Sequence, residues 1–234
     1  MTEDELKRFG LKLFQPRQGY RYSLDALLLA RFCPELRGGG TIADLGAGCG
    51  IVGLVLVRIN PAASVLAVEN NPGMAALIER NIRDNDLGDR AVVCAEDVIN
   101  LRRCYPASSF DLVVSNPPFR TAASGRISPR AGRDSARHET TAGLADFIAA
   151  AKYLVKPSGR ICFIQHPSRL AESLSLASGL KLTTLRLRMI HSNPESPATM
   201  FMAELAKGRR SAPVVESPLF VRNMCGEYTV EVRR

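Results

Sequence analysis

The chain has 234 residues, 46% hydrophobic and 23% charged, enough for one large domain with a full hydrophobic core and ordinary for a soluble globular protein. It has no run of about 18 apolar residues, which argues against a helical membrane span. The opening MTEDELKRFG is acidic and lacks an apolar signal core, so a cytoplasmic location is expected. The six cysteines include no Cys-x-x-Cys pair and the three histidines are widely spaced, so reduced thiols and no metal site are expected. The net charge of +8 favours a polyanionic partner and is silent on fold.

In chain order, strands and helices alternate. TIADLG (41–46) reads as a short strand ending in glycine, and IVGLVLVRI (51–59) as a helix. SVLAVE (64–69) is a second strand. Asn71 and Pro72 then form a helix start, with the helix running to about Asn85. AVVCAE (91–96) and FDLVVS (110–115) are strands three and four. LADFIAAAKYLV (144–155) is a helix expected to stop at Pro157 and Gly159, and RICFIQ (160–165) is strand five. The runs 180–190 and 199–206 can complete the sheet. Continuous apolar strands between helices predict a doubly wound α/β fold, with a mostly parallel seven-stranded sheet covered on both faces. The expected organisation is a single domain over 1–234, with an N-terminal extension (1–40) and a C-terminal extension (211–234).

DLGAGCGIVG (44–53) joins strand one to helix one. Gly46, Gly48 and Gly50 permit positive φ and close approach of backbone to a ligand, more freedom than a plain tight turn needs. Gly48-x-Gly50-x-x-Gly53 also matches the dinucleotide fingerprint, and Glu69 ends strand two where a carboxylate can accept ribose hydroxyls. A nicotinamide-dependent oxidoreductase is therefore one reading of the loop. Asp44 weighs against it, because a carboxylate before the first glycine repels a pyrophosphate but can face a cation, directly or through water.

Asp-x-Gly-x-Gly-x-Gly with a later acid resembles the methyltransferases that use S-adenosylmethionine, and the resemblance implies a Rossmann-like methyltransferase fold. It also implies that Asp97 accepts from the cofactor's adenine amine and that the Val98 N–H meets the ring, with Glu69 at the ribose and Asn70 among the cofactor-binding residues; a solvated loop aspartate is the alternative for Asp97.

Asn116-Pro117-Pro118-Phe119 follows strand four. The Asn116 amide carbonyl and the Pro117 backbone carbonyl can together accept the two hydrogens of an –NH₂ group. That orients a nitrogen whose lone pair is otherwise delocalised. The prolines preorganise the turn, and Phe119 offers a face on which a planar substrate stacks. Asn-Pro-Pro-Phe resembles the amino-methyltransferase signature, which covers adenine N6, guanine N2 and glutamine N5. A binding module that senses the cofactor without catalysis would not need these paired acceptors.

FQPRQGYRYSLDALLLARF (14–32), DLGAGCGIVGL, SNPPF, ARHE (136–139) and GEYT (226–229) together resemble the bacterial tRNA1(Val) adenine-37 N6-methyltransferase family over nearly the whole chain. The resemblance implies a tRNA anticodon loop as partner and S-adenosylhomocysteine as product; ribosomal RNA guanine and protein glutamine remain the alternatives. Tyr22, Ser23 and Asp25 open a helix that either covers the cofactor's methionine end or is simply capped by them. Arg120, Arg126, Arg130, Arg133 and Arg137, directly after the Asn-Pro-Pro-Phe turn, are candidates to grip RNA phosphates, against the alternative of a solvated loop. Lys207, Arg209 and Arg210 form a second basic cluster, and His138 reads as a helix-start or loop residue. The sequence leaves the oligomeric state open.

Overall fold

A computed structural model describes residues 2–16, 24–36, 38–118 and 142–233. Its centre is a sheet whose first strand, β3 (Gly40–Leu45), lies between β4 (Ala63–Val68) and β6 (Phe110–Ser115). β5 (Ala91–Cys94) flanks β4, and β7 (Val155–Gln165) flanks β6; all these neighbours run parallel. An antiparallel hairpin, β8 (Leu182–His191) and β9 (Ala198–Lys207), completes the sheet, with β9 inserted against β7. These seven strands are the expected framework. Two further strands of two residues each, β10 (Val214–Val215) and β11 (Leu219–Phe220), lie parallel along β8, so the sheet has nine strands.

The strands' period of two sorts their side chains between two cores. Ile42, Leu112, Val114 and Ile164 pack with α1 (Leu24–Phe32), α2 (Ile51–Ile59) and α3 (Pro72–Arg83). Leu45, Val113, Ile161 and Phe163 pack with α5 (Leu144–Leu154) on the other face, together with α4 (Leu101–Cys104) and α6 (Leu170–Gly179). Each such fully enclosed side chain contributes about 1.5–3 kcal/mol relative to exposure. α3 starts where its sequence demands: the Asn71 side chain accepts from the N–H of Gly73 at 2.9 Å and Met74 at 3.1 Å, and Pro72 takes the first helical position.

Three features add to or correct the sequence reading. The N-terminal extension is structured: β1 (Thr2–Leu6) and β2 (Leu11–Gln15) form an antiparallel hairpin, with Leu11 and Leu13 at 0% exposure in the core. Asn81 on α3 and Asn85 in the turn after it, four residues on, face β2 as a strand edge would. Their Oδ1 atoms accept the N–H of Phe14 and Lys12 (both 2.8 Å), and their Nδ2 atoms donate to the same residues' carbonyls (3.1 and 2.7 Å). Second, Pro157 and Gly159 do not separate α5 from the next strand. The chain turns from Leu154 straight into β7, and the register against β6 shifts between Phe110 and Leu112, giving proline a place with no N–H to donate. Third, the C-terminal extension carries β10, β11 and α7 (Val230–Arg233) and covers the edge strand β8. Arg186 joins it to the sheet by pairing with Glu204 (2.5 Å) and Glu216 (2.9 Å), and Arg188 by pairing with Glu231 (2.7 Å).

Candidate active site

The parallel register brings the site together. Leu45 of β3 pairs with Val68 of β4 and with Ser115 of β6, Val68 pairs with Cys94 of β5, and Ser115 with Phe163 of β7. Four strands therefore end level, and the residues just beyond them share one rim. The chain leaves β3 towards β4 and later returns on β3's other side as β6, so this rim is the topological switch point, where ligands bind in such sheets. The Ser115 hydroxyl donates to the Leu45 carbonyl at 2.8 Å and fixes the two strand ends together.

The glycine loop leaves β3. Gly46, Gly48 and Gly50 all have positive φ (+70°, +60° and +83°). Gly50 needs it most: it is the N-cap of α2 in left-handed conformation, which strains any residue with a Cβ. Gly53 is required for closeness instead, since a Cβ there would stand 2.9 Å from Val65 Cγ2.

Gly50 brings no side chain to cap α2, and Asp44 supplies the missing acceptor from below. Its Oδ2 accepts the Gly53 N–H at 2.9 Å, and the residue is 1% exposed. Burial pushes the Asp44 pKa up to about 7, with the nearby Glu69 carboxylate adding to the rise and the Gly53 bond opposing it. Asp44 thus lies buried beneath the loop. Glu69, at the end of β4, accepts the Gly48 N–H at 2.8 Å through Oε2 and the Asn71 N–H at 2.9 Å through Oε1. Each carboxylate oxygen keeps a second lone pair for an incoming hydroxyl. Two loop donors that would meet a pyrophosphate in a dinucleotide site are therefore already held by the chain's own carboxylates.

Beyond β5, Asp97 caps a single 3-10 turn, Val98–Asn100, its Oδ1 accepting from the Ile99 N–H at 3.0 Å. Its Oδ2 receives a long bond from Asn70 Nδ2 at 3.5 Å. Val98 is buried, and its N–H stands at the turn's first position, where the turn itself provides no acceptor. Asn70, Asp97 and Val98 line a cleft with Gly46, Val68 and Phe147. Its lining mixes apolar Val68, Val98 and Phe147 with polar Asn70, Glu96 and Asp97.

Beyond β6, Asn116 is half-buried, Pro117 buried and Pro118 exposed. The Pro117 carbonyl accepts from Gln165 Nε2 at 3.4 Å. Asp25 lies half-buried in the first turn of α1. Tyr22, Ser23, Phe119, Arg120, Arg126, Arg130, Arg133, Arg137 and His138 lie outside the described residues. In the second basic cluster, Lys207 turns inward, donating to the Val155 carbonyl (2.5 Å) and Ser108 Oγ (3.3 Å), and burial lowers its pKa; Arg209 and Arg210 are exposed.

Sequence reasoning missed two residues. Asn81 Nδ2 also donates to the Cys49 carbonyl at 2.9 Å, tying the glycine loop to α3 and the N-terminal hairpin. Gln165 reaches the turn after β6. The partners of both are backbone groups far off in sequence, and the only signal was an amide at an otherwise apolar position. Among the described residues no group of three or more histidine, cysteine, aspartate or glutamate side chains is placed to hold a metal, and no helix is long and apolar enough to cross a membrane.

The model of the methyltransferase small domain matches residues 24–184, more than half of the chain. A Porphyromonas gingivalis (strain W83) tRNA1(Val) (adenine(37)-N6)-methyltransferase is 30% identical over 204 residues, 84% of this chain and 79% of that protein. The Musicola paradisiaca protein of the same name is 27% identical over 97% of this chain and 89% of its own length. Among solved structures, a predicted O-methyltransferase from Agrobacterium tumefaciens superposes with a TM-score of 0.73 at 24% identity, covering 89% of this chain and 93% of that one. A geranyl diphosphate methyltransferase in complex with SAM superposes at 0.58 and 12% identity, covering 78% of this chain and 84% of that one. At those identities the structures speak for the fold alone. With the glycine loop, the level strand ends and the Asn-Pro-Pro turn, these matches make the chain a member of the methyltransferase small domain family, related over most of its length to the tRNA1(Val) (adenine(37)-N6)-methyltransferases.

Proposed function

We propose that this protein methylates the exocyclic N6 amine of adenine 37 in a tRNA anticodon loop, with S-adenosylmethionine as methyl donor and S-adenosylhomocysteine as product. The observation that carries the reading is the Leu45↔Ser115 register, which sets Asn116 and Pro117 beside the glycine loop. A cofactor held by that loop has its reacting end next to two oxygen acceptors.

The residues present fit this cofactor better than a dinucleotide. The Gly48 and Gly53 N–H groups are bonded to carboxylates, so the loop offers a pyrophosphate little, whereas Glu69 retains lone pairs for ribose hydroxyls. Val68, Val98 and Phe147 offer apolar contacts for a purine, with Asp97 and Asn70 nearby to meet a ring amine. Asp44 adds negative potential beneath the loop when ionised, favourable to a cation. Bound there, the cofactor supplies a methyl group activated by a sulfonium.

The chain's own residues orient the acceptor. The Asn116 side-chain carbonyl and the Pro117 carbonyl accept the two amine hydrogens, directing the nitrogen lone pair to the incoming methyl. With the methyl donor bound, a C–N bond would form as the donor's S–C bond breaks, and one amine proton would pass to solvent. An anticodon-loop base needs little energy to enter such a site, because it is already unpaired. Arg120, Arg126, Arg130, Arg133 and Arg137, directly after the turn in sequence, are suited to hold the neighbouring phosphates. The relatives' name supports the choice of adenine over guanine or glutamine.

The test uses the purified protein in two steps. Calorimetry should show S-adenosylmethionine binding and no NAD binding. Radiolabelled methyl should pass to bulk tRNA and not to bulk protein. NAD binding without S-adenosylmethionine binding, or label found only in protein, would refute the reading.

A further inference from the structure

Gln165 ends β7, and its side chain is 0% exposed. Its Oε1 accepts the His166 N–H at 2.9 Å, and its Nε2 donates to the Pro117 carbonyl at 3.4 Å. The strand pairing explains why an amide stands there. β6 and β7 pair as far as Ser115↔Phe163, and the ladder then stops. Pro117 and Gln165 each lie two residues past that last pair. Across that gap a side chain replaces the backbone as donor.

We propose that Gln165 is a positioning residue for methyl transfer: it holds the Pro117 carbonyl in the orientation where the oxygen's second lone pair takes a hydrogen of the substrate amine. This rests on the assignment of Asn116 and Pro117 as the amine's acceptors. The place makes an unusual demand, an acceptor at one end of a buried side chain and a donor at the other, without charge. At this length only glutamine or a protonated glutamate supplies that. Proline fixes φ at Pro117 and Pro118, and the Pro118 ring confines ψ of Pro117 to the extended range, but the carbonyl between them can still rock within that range. The Gln165 bond restrains that remaining rotation. The effect belongs in turnover, since a misdirected acceptor costs most when the nitrogen must present its lone pair.

Gln165→Glu provides a test that a merely structural role would not pass. The new carboxyl keeps the shape, and burial raises its pKa. Protonated, it donates to Pro117 as the amide does; ionised, it cannot, and its charge repels the carbonyl oxygen. The ratio of variant to wild-type kcat should therefore fall as pH rises, on the order of 10-fold between about pH 6 and pH 9. KM for the acceptor, cofactor affinity and circular dichroism should stay unchanged. Gln165→Met removes the donor at every pH, and should lower kcat on the order of 10-fold with no added pH dependence. A Glu variant whose kcat ratio stays constant with pH, or a Met variant keeping more than about half of wild-type kcat, overturns the role. The assays are run on tRNA, ribosomal RNA and a glutamine-bearing protein. If the wild type methylates a guanine or glutamine amine, the adenine reading fails, and the same kcat ratio on that amine decides for Gln165. If the wild type methylates none of them, both proposals are overturned.

Discussion

Asp44 is held in a place that favours its protonated form, with a pKa raised to about 7. Its unfolded value is near the ordinary 3.8, so between these limits the folded chain binds the proton more tightly than the unfolded one. Stability due to Asp44 is therefore present at about pH 4 and is lost as pH rises to about 7. Asp44→Asn keeps an acceptor for Gly53 and carries no charge. In denaturant unfolding its advantage over wild type should grow by roughly 3 kcal/mol between about pH 5 and about pH 8. An identical pH trend in both proteins would contradict the burial argument. Asn116 makes a different kind of prediction. Asn116→Ala should lower kcat on the order of 100-fold while S-adenosylmethionine affinity measured by calorimetry changes little. The glycine loop and the Asn-Pro-Pro turn were legible in the sequence because only a few residue types meet their backbone demands. Gln165 and Asn81 were not, because an amide in a core says nothing of which distant carbonyl it meets.

The β1–β2 hairpin shows how an element can hide in a sequence. Its strands alternate in burial, but TEDEL and LKLFQ are short and charged, so the pattern passes for a solvated tail. What fixes the hairpin lies elsewhere, in Asn81 and Asn85, whose spacing of four across the C-terminal end of α3 matches alternate residues of β2. β10 and β11, two residues each, are too short to show any period. The long parallel strands were legible because burial on both faces makes them continuously apolar. Asn81→Ala and Asn85→Ala each leave part-buried backbone groups of β2 without their side-chain partner and should each destabilise the fold by about 1–2 kcal/mol in chemical denaturation. Only Asn81 also holds the Cys49 carbonyl. Cofactor affinity should accordingly fall for Asn81→Ala and stay near wild type for Asn85→Ala; equal losses would show that the loop senses the hairpin and not this one bond.

The net charge of +8 suits a polyanionic partner, and Lys207, bonded inward to Val155 and Ser108, contributes less to that surface than its sequence neighbours suggest. The five arginines between 120 and 137 carry more of the expectation. Replacing Arg126, Arg130 and Arg133 together by Ala should raise KM for tRNA and flatten the salt dependence of binding, by about 0.7–0.9 in slope for each phosphate no longer neutralised. Turnover at saturating tRNA should fall less than affinity, and cofactor binding should not change. Wild-type affinity with an unchanged slope would remove these residues from the RNA interface. The central claim, that this fold delivers a methyl group to one amine of an anticodon loop, is tested most directly by mass spectrometry of ribonuclease fragments of tRNA1(Val) lacking the modification, after incubation with the protein and S-adenosylmethionine. The account predicts one added methyl on the fragment containing adenine 37, released on digestion as N6-methyladenosine and absent with Asn116→Ala. Methylation of a guanine or a ring carbon, or equal product from the Asn116 variant, would contradict it.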